Sequence, residues 1–404
     1  MKLVNNILNW IDDFVNIWFN EYKIIFRDAG VITLFIVAIL VYPLIYSFAY
    51  DNEVARDIPI AIVDQDNSDL SRKLIMMIDA TGEVKIDVVT PNFRYAKELF
   101  SESEVKGIIH IPKDFDNNIL GFKPATVSVY ADAAYMIIYK QIVTAATYSV
   151  GTMSAQIEVI RKTAKGEQIE ESMIERDPLP IETYSLYNPH GGYATYVMPA
   201  VFIMILQQTL FLGIGLLGGT FKEKGYDNLL INIGRKRGGA SAVVFGKSLA
   251  YFSIYLMNAA YVIVIVSRMF SLPMRGSFFD VFIFISPFLF ASIFMGLTIA
   301  AFFKKREHAL MVLLFSSIPI VFLSGFSWPT SAMPEWLLAL AALFPSTPGI
   351  KGYLALTLRG APFSDVIGNL QHIWILVVFY FITASILMRR VLRSSFEVVI
   401  EKKG

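Results

Sequence analysis

The sequence predicts an α-helical polytopic membrane protein with six transmembrane helices and an α/β domain inserted after the first. Three observations carry this prediction. Over 404 residues the mean hydropathy is +0.54, with 55% apolar and only 17% charged residues, against roughly 25% charged in soluble domains. Apolar runs of the length that crosses a hydrocarbon core, about 20 residues, recur at 30–50, 196–218, 242–267, 279–303, 309–327 and 370–388. Between the first two runs lies a stretch of ordinary soluble composition. The expected organisation is a cytoplasmic amphipathic helix over 1–29, span one over 30–50, the inserted domain over 51–195, spans two to six over 196–390 and a cytoplasmic tail over 391–404.

Basic and acidic residues nearly balance, 35 against 34, without the basic surplus of a nucleic-acid binder. There is no cysteine, which excludes disulfides, iron–sulfur clusters and thiolate zinc sites. Orientation follows from Lys and Arg, which favour cytoplasmic segments. With both termini inside, the internal side holds Lys2, Lys23 and Arg27, then Lys222, Lys224, Arg235, Lys236 and Arg237, and then Lys247. It also holds Lys304, Lys305 and Arg306, and at the end Arg389, Arg390, Arg393, Lys402 and Lys403. The short external loops hold only Arg268, Arg275, Lys351 and Arg359. The 51–195 domain then lies outside the cytoplasm. The small residues Ser47 and Ala49 resemble a signal cleavage site. However, a mixed-charge segment precedes the run, and the run exceeds a signal core, so an uncleaved span is expected.

The N-terminal segment is amphipathic. Leu3, Val4, Ile7, Leu8, Ile11, Phe14, Val15, Trp18, Tyr22, Ile25 and Phe26 recur at helical spacing, with Asp12, Asp13, Asn16, Asn20, Lys23 and Arg27 opposite. Such a helix lies in the cytoplasmic headgroup layer beside an ATPase partner or packs on the bundle, and the two are not exclusive. Gly30 closes it.

The inserted domain alternates strand and helix signals. Strands are expected at 58–63, 84–89, 107–111 and 125–130, and helices at 69–80, 92–104, 113–120 and 134–163. This is the pattern of a small sheet covered by helices. Asp64, Asp66 and Asp69 suggest a calcium loop, but that motif's glycine and distal glutamate are missing, so a turn with Ser68 as helix cap is expected.

No constellation carries catalysis. His110, His190, His308 and His372 are scattered, without metalloprotease spacing. Gly246-Lys247-Ser248 mimics the end of a phosphate-binding loop, but Ser241 stands where its first glycine belongs, and the segment enters a span. Transport driven by protons or ions needs ionisable residues in the membrane, and none occurs within 31–50, 196–221, 248–267, 281–303 or 309–327. The energy must then come from a partner. The most polar residues there include Gln207, Gln208 and Asn258, which either face a substrate path or hold helices together. Gly213, Gly215, Gly218 and Gly219 mark a close-packing face or a flexible exit from span two.

Two loops stand out. The internal loop, 219–241, reads Phe221-Lys222-Glu223-Lys224-Gly225-Tyr226-Asp227-Asn228 and continues Leu229-Leu230-Ile231. It suits a short amphipathic helix that docks in another protein. The external loop, 328–369, holds Trp328-Pro329, Met333-Pro334-Glu335-Trp336 and Pro345, with an apolar stretch too short to span and too apolar to be wet. A re-entrant or interfacial hairpin fits it.

These residues together resemble the type-2 ABC exporter permeases, in the subgroup with a large domain between spans one and two. Pro59 to Ser68 is similar to the opening of that family's external domain, and Tyr187-Asn188-Pro189 to the motif leading into span two. Lys222-Glu223-Lys224-Gly225 resembles the loop that touches the ATPase, and Gly246-Lys247 the start of span three. Ser324-Gly325-Phe326, Pro329, Met333-Pro334-Glu335-Trp336 and Pro345 resemble the last external loop. Tyr226 and Asn232-Ile233 depart from the family, which often has threonine and threonine-proline there.

The resemblance implies a non-enzymatic transport subunit in the inner membrane of a bacterium, exporting an amphipathic or hydrophobic substrate. ATP and magnesium belong to a separate cytosolic ATP-binding subunit, which contacts Lys222, Glu223, Lys224, Gly225, Tyr226 and Asp227. It implies pairing with a second permease, and hand-over to a periplasmic adaptor and an outer-membrane channel. The alternative is a structural membrane component of a secretion or phage-receptor system, although such external domains are usually longer and rich in coiled coil.

Overall fold

The computed structural model describes residues 2–50, 54–164, 184–189, 191–225, 228–234, 236 and 238–401, and side chains from 9 to 394 within these. His190, Tyr226, Asp227, Arg235 and Arg237 lie outside the described residues. The chain divides into two compact units, one of Met1–Glu53 with Ser185–Gly404 and one of Val54–Tyr184.

The first unit is helical. After α1 (Lys2–Ile25), six helices are long and apolar enough to cross a membrane among the described residues. They are α2 (Ala29–Ala49), α7 (Tyr193–Lys224), α9 (Gly239–Met269), α10 (Phe278–Ala300), α11 (Arg306–Leu323) and a last span, Phe363–Ser394, made largely by α14 (Ile367–Glu401). Helix α7 is central: 83% of its apolar window is buried, against 22% for α11. It packs on α2, α10 and α11. Its glycines permit this, because a Cβ on Gly213 would lie 2.0 Å from Phe35 and one on Gly219 would lie 2.6 Å from the backbone of Arg306. They form a packing face rather than a flexible exit. Several spans outrun their apolar runs. Helix α9 is about 46 Å long at 1.5 Å per residue, longer than the roughly 30 Å core.

The external-loop segment folds as two short helices, α12 (Glu335–Ala341) and α13 (Ser346–Thr357). Helix α13 is buried against α7, α10 and α14, whereas α12 buries only Ala341. The buried end of α12 needs partners for its carbonyls. Thr347 Oγ1 donates to Ala341 O (2.7 Å), His372 Nε2 to Ala342 O (2.8 Å) and Tyr380 Oη to Leu343 O (2.9 Å).

The second unit holds a four-stranded sheet ordered β2-β1-β3-β4, from β1 (Ile58–Asp64), β2 (Val84–Thr90), β3 (Gly107–Ile111) and β4 (Ser128–Ala131). The first three are parallel, and β4 runs antiparallel to β3. Strand β4 starts three residues later than its apolar pattern predicts, since its ladder reaches only from Ser128 to Ala131. Along β1, Ile58, Ile60 and Ile62 face a core shared with α3 (Asp69–Asp79), α5 (Phe115–Leu120) and α6 (Met136–Thr163). Ala61 and Val63 face α4 (Phe93–Ser101). The aspartates after β1 are turn and cap groups. Asp64 accepts from the backbone of Asp66 and Asn67 and from Ser71 Oγ, Asp66 accepts from the Asp116 N–H, and Ser68 and Ser71 cap α3 reciprocally.

Candidate functional site: the basic end of the helical unit

At one end of the helical unit, the end of α7, the start of α9 and the start of α11 bring basic residues together. There α1 runs in the same direction as α9 with nearly constant register. Trp10 Nε1 donates to Ser241 Oγ (3.3 Å), Trp10 and Phe14 pack on Phe245, and Tyr22 Oη bonds Ser253 Oγ. Gly246 makes the contact possible, since a Cβ there would lie 2.6 Å from Phe14 O. Of the two expectations for α1, the structure shows the packed helix.

The buried row of α1 is not the predicted stripe. It is Asp13, Ile17, Glu21 and Ile25, spaced by four, a ridge along the helix. Ile11 and Phe26 are exposed, and Asp13, assigned to the polar face, is buried. Two carboxylates in a buried row require partners. Asp13 Oδ1 accepts from Lys236 Nζ at 2.6 Å. Glu21 Oε2 accepts from Lys247 Nζ at 2.5 Å, and its Oε1 accepts from Tyr251 Oη. The Glu21 and Lys247 side chains are 1% and 3% exposed, and the ammonium also sits 4.2 Å from the Phe221 ring centroid. The windows read as free of ionisable groups, 248–267 among them, remain so, but the helix of span three extends beyond its window. Span three reaches back to Gly239 and so contains Lys247, the lysine of the phosphate-loop look-alike.

A third ion pair joins three elements. Arg306, opening α11, donates through Nη2 to Asp28 Oδ1 (2.7 Å) and through Nη1 to Asp28 Oδ2 and Thr220 Oγ1 (3.0 Å). Its backbone N–H donates to Glu223 Oε1 (3.1 Å). Asp28 also accepts from the N–H groups of Gly30 and Val31, capping α2. The guanidinium bond, with these N–H groups, holds the Asp28 carboxyl below its ordinary 3.8 against the opposing effect of burial.

The internal loop is split in its exposure. Lys222, Glu223, Lys224 and Gly225 are exposed, Glu223 being tied to Arg306. The following helix α8 (Asn228–Gly234) corrects the docking expectation: Leu230, Ile231 and Ile233 are buried, and α8 packs on α9 and α14 of its own chain. Only Leu229 of that apolar set is exposed.

Within the spans, Gln207 Nε2 donates to Ser346 Oγ (3.1 Å) and Asn258 Nδ2 to Phe35 O (2.8 Å). The latter carbonyl lies in a π-helical turn of α2, Thr33–Val37, where a wider turn disturbs the usual ladder. Both residues tie neighbouring segments. Gln208 is different: both ends of its amide are buried without a hydrogen-bond partner in the chain. At the opposite end of the bundle, Ser324 Oγ donates to Val321 O (2.6 Å), and Gly325 has φ +83° as the chain leaves α11. Tyr196 Oη donates to Phe326 O (2.5 Å). Pro329 precedes a single turn, Met333 is extended, Pro334 and Glu335 open α12, and Pro345 opens α13. Asn188 exchanges two hydrogen bonds with Gly192 (2.8 and 3.0 Å), fixing the entry to α7. Glu21 was missed from sequence, although its place four residues from both Ile17 and Ile25 was the available signal.

Residues 29–386 match the model of the ABC-2 family transporter proteins. The chain belongs to this family. It is a membrane permease component of an ABC transporter. It is 21% identical over 330 residues to the probable multidrug ABC transporter permease YbhR of Escherichia coli K12, covering 80% of this chain and 84% of that one. It is 21% identical over 361 residues to the inner membrane transport permease YhhJ of the same strain, covering 87% and 90%. The match to ABC transporter G family member 23 of Dictyostelium discoideum is 24% over 343 residues, covering 81% of this chain and 45% of that longer protein.

Proposed function

We propose that this permease exports an amphipathic or hydrophobic substrate across a bacterial inner membrane, driven by a separate cytosolic ATP-binding subunit. One observation carries the reading: the exposed Lys222–Gly225 stretch is continuous with a network of charged contacts that reaches α1, α2, α9 and α11. Glu223 holds Arg306, Arg306 holds Asp28, and Phe221 packs on the Lys247 that holds Glu21. A push on Lys222, Lys224, Gly225, Tyr226 and Asp227 as the ATPase subunits close is thereby passed to several spans at once. Packed side chains and ion-pair networks of this kind are what carry coupling between elements.

In this reading the basic end faces the cytoplasm, as the Lys and Arg bias requires, and the Val54–Tyr184 unit lies outside, open to a periplasmic adaptor and outer-membrane channel. Two permeases pair around the substrate path. Gln208, whose amide is buried without a partner in its own chain, becomes available to that path only as the helices move, whereas Gln207 and Asn258 hold helices together. The similarity to YbhR, a probable multidrug ABC transporter permease, supports a drug-like substrate. ATP and magnesium stay with the partner.

Because the chain has no cysteine, single substitutions report orientation without background. Lys224→Cys should be labelled only from the cytoplasm and Lys113→Cys only from outside. The reverse pattern overturns the direction of transport. Lys222→Glu with Lys224→Glu should abolish co-purification of the ATP-binding subunit while leaving the permease folded; retained binding and stimulated ATP hydrolysis would remove this loop from coupling.

A further inference from the structure

Within the Val54–Tyr184 unit, α3, α5, α6 and the segment before β4 enclose an open cavity of about 480 Å³. Interiors of folded proteins pack without voids of this size, and small-molecule pockets fall between roughly 300 and 1,000 Å³. Its floor is apolar: Leu74, Phe115 and Met153 are core residues of the unit that also line the cavity, joined by Val150 and Ile157.

The polar groups are few and unequal in sign. Lys123 and Arg161 line the cavity with a single carboxylate, Glu158. Among the described residues neither cation forms an ion pair. Arg161 spends one N–H on Ile119 O and stacks 4.6 Å from the ring centroid of Phe122, leaving other N–H groups of its five-donor fork for a ligand. Phe122 is itself 68% exposed and Leu120 beside it 67%, an apolar border at the point where charge collects.

A cavity lined mostly by apolar side chains, with two cations against one carboxylate, complements an anionic amphiphile. We propose that this unit binds an anionic amphiphile, its acyl chain in the cavity and its carboxylate or phosphate at Lys123 and Arg161. The chain supplies the burial, and the two cations supply the sign. Binding here is independent of the transport direction proposed above and is read without transport.

The test uses the full-length protein in nanodiscs of zwitterionic phosphatidylcholine, with a diazirine-bearing dodecanoate as photoprobe and peptide mapping by mass spectrometry. Saturable labelling on α5 and α6 is expected, competed by dodecanoate or by dodecyl phosphate. Preference between these two competitors distinguishes a free fatty carboxylate from a phosphate headgroup as the natural source. Dodecanol should compete at least tenfold less well. Each methylene removed from the competing acid should weaken it about fourfold, the equivalent of about 0.8 kcal/mol. Ser154→Trp, at an exposed position lining the cavity, should abolish labelling without lowering the unfolding temperature. Lys123→Gln should weaken dodecanoate several-fold and leave dodecanol unchanged. Labelling that does not saturate, equal competition by dodecanol, or labelling indifferent to Ser154→Trp each overturns the proposal.

Discussion

Replacing Lys247 by Met tests the electrostatics of the basic end most directly. The ammonium is 2.5 Å from Glu21, and both side chains are almost wholly inaccessible, so solvent cannot screen the pair as it does at a surface. Removing one partner leaves a carboxylate buried among Ile17, Ile25 and Tyr251 without its counter-charge, a loss of about 3–5 kcal/mol. Replacing both, as in Glu21→Leu with Lys247→Met, removes the desolvation cost together with the attraction and should fall near neutral. The single variant should therefore be markedly less stable than the double. In a detergent-solubilised chain of this size, the single variant's apparent unfolding temperature should drop by about 5–10 °C. Loss of monodisperse protein after heating, followed by size-exclusion chromatography, measures it, and the four variants form a double-mutant cycle. If the loss in the double variant equals the sum of the losses in Lys247→Met and Glu21→Leu, the pair is not coupled and the packing of α1 on α9 rests on Phe14, Ile17 and Trp10 instead.

The Asp28–Arg306 bridge gives a pH dependence of definite sign. The folded-state value of Asp28 lies below 3.8, so its stabilisation is fully present above about pH 4–5 and is lost as pH falls through the lowered value; Asp28→Asn should remove that part of the acid loss, seen as a flatter stability profile below about pH 4. Gly219→Leu forces side-chain atoms into the Arg306 backbone and should destabilise by about 1–3 kcal/mol or more, read as lost thermal tolerance with unchanged expression. Gln207→Leu removes one interhelical hydrogen bond and should cost about 0.6 kcal/mol with transport retained, whereas Gln208→Leu should leave stability unchanged and alter substrate-stimulated ATP hydrolysis by the partner subunit. Equal effects of the two on hydrolysis would remove Gln208 from the path.

Much of the architecture was legible because bilayer length and hydropathy are local properties. The six long apolar helices lie where the runs predicted them, and the strands at 58–63, 84–89 and 107–111 reappear almost unchanged. Boundaries were harder to read, because α7 runs on to the exposed Lys222, Glu223 and Lys224, and α9 continues past its apolar window where α1 packs along it. That extension is what hid Lys247: hydropathy ends a span at the first charge, while a buried partner lets the helix carry the charge inward. The same cause defeated the reading of α8, whose apolar face finds α9 and α14 of its own chain before any partner.

The amino-acid order by itself determined the membrane class, the number of long apolar helices, the strand and helix order of the inserted unit and the amphipathic character of α1. Only the tertiary structure decided which charges meet. Glu21 with Lys247, and Asp28 with Arg306, stand 226 and 278 residues apart in sequence. Periodicity places a residue on a face, but the free energy of a buried charge depends on what the opposite helix supplies, and that is fixed by packing alone.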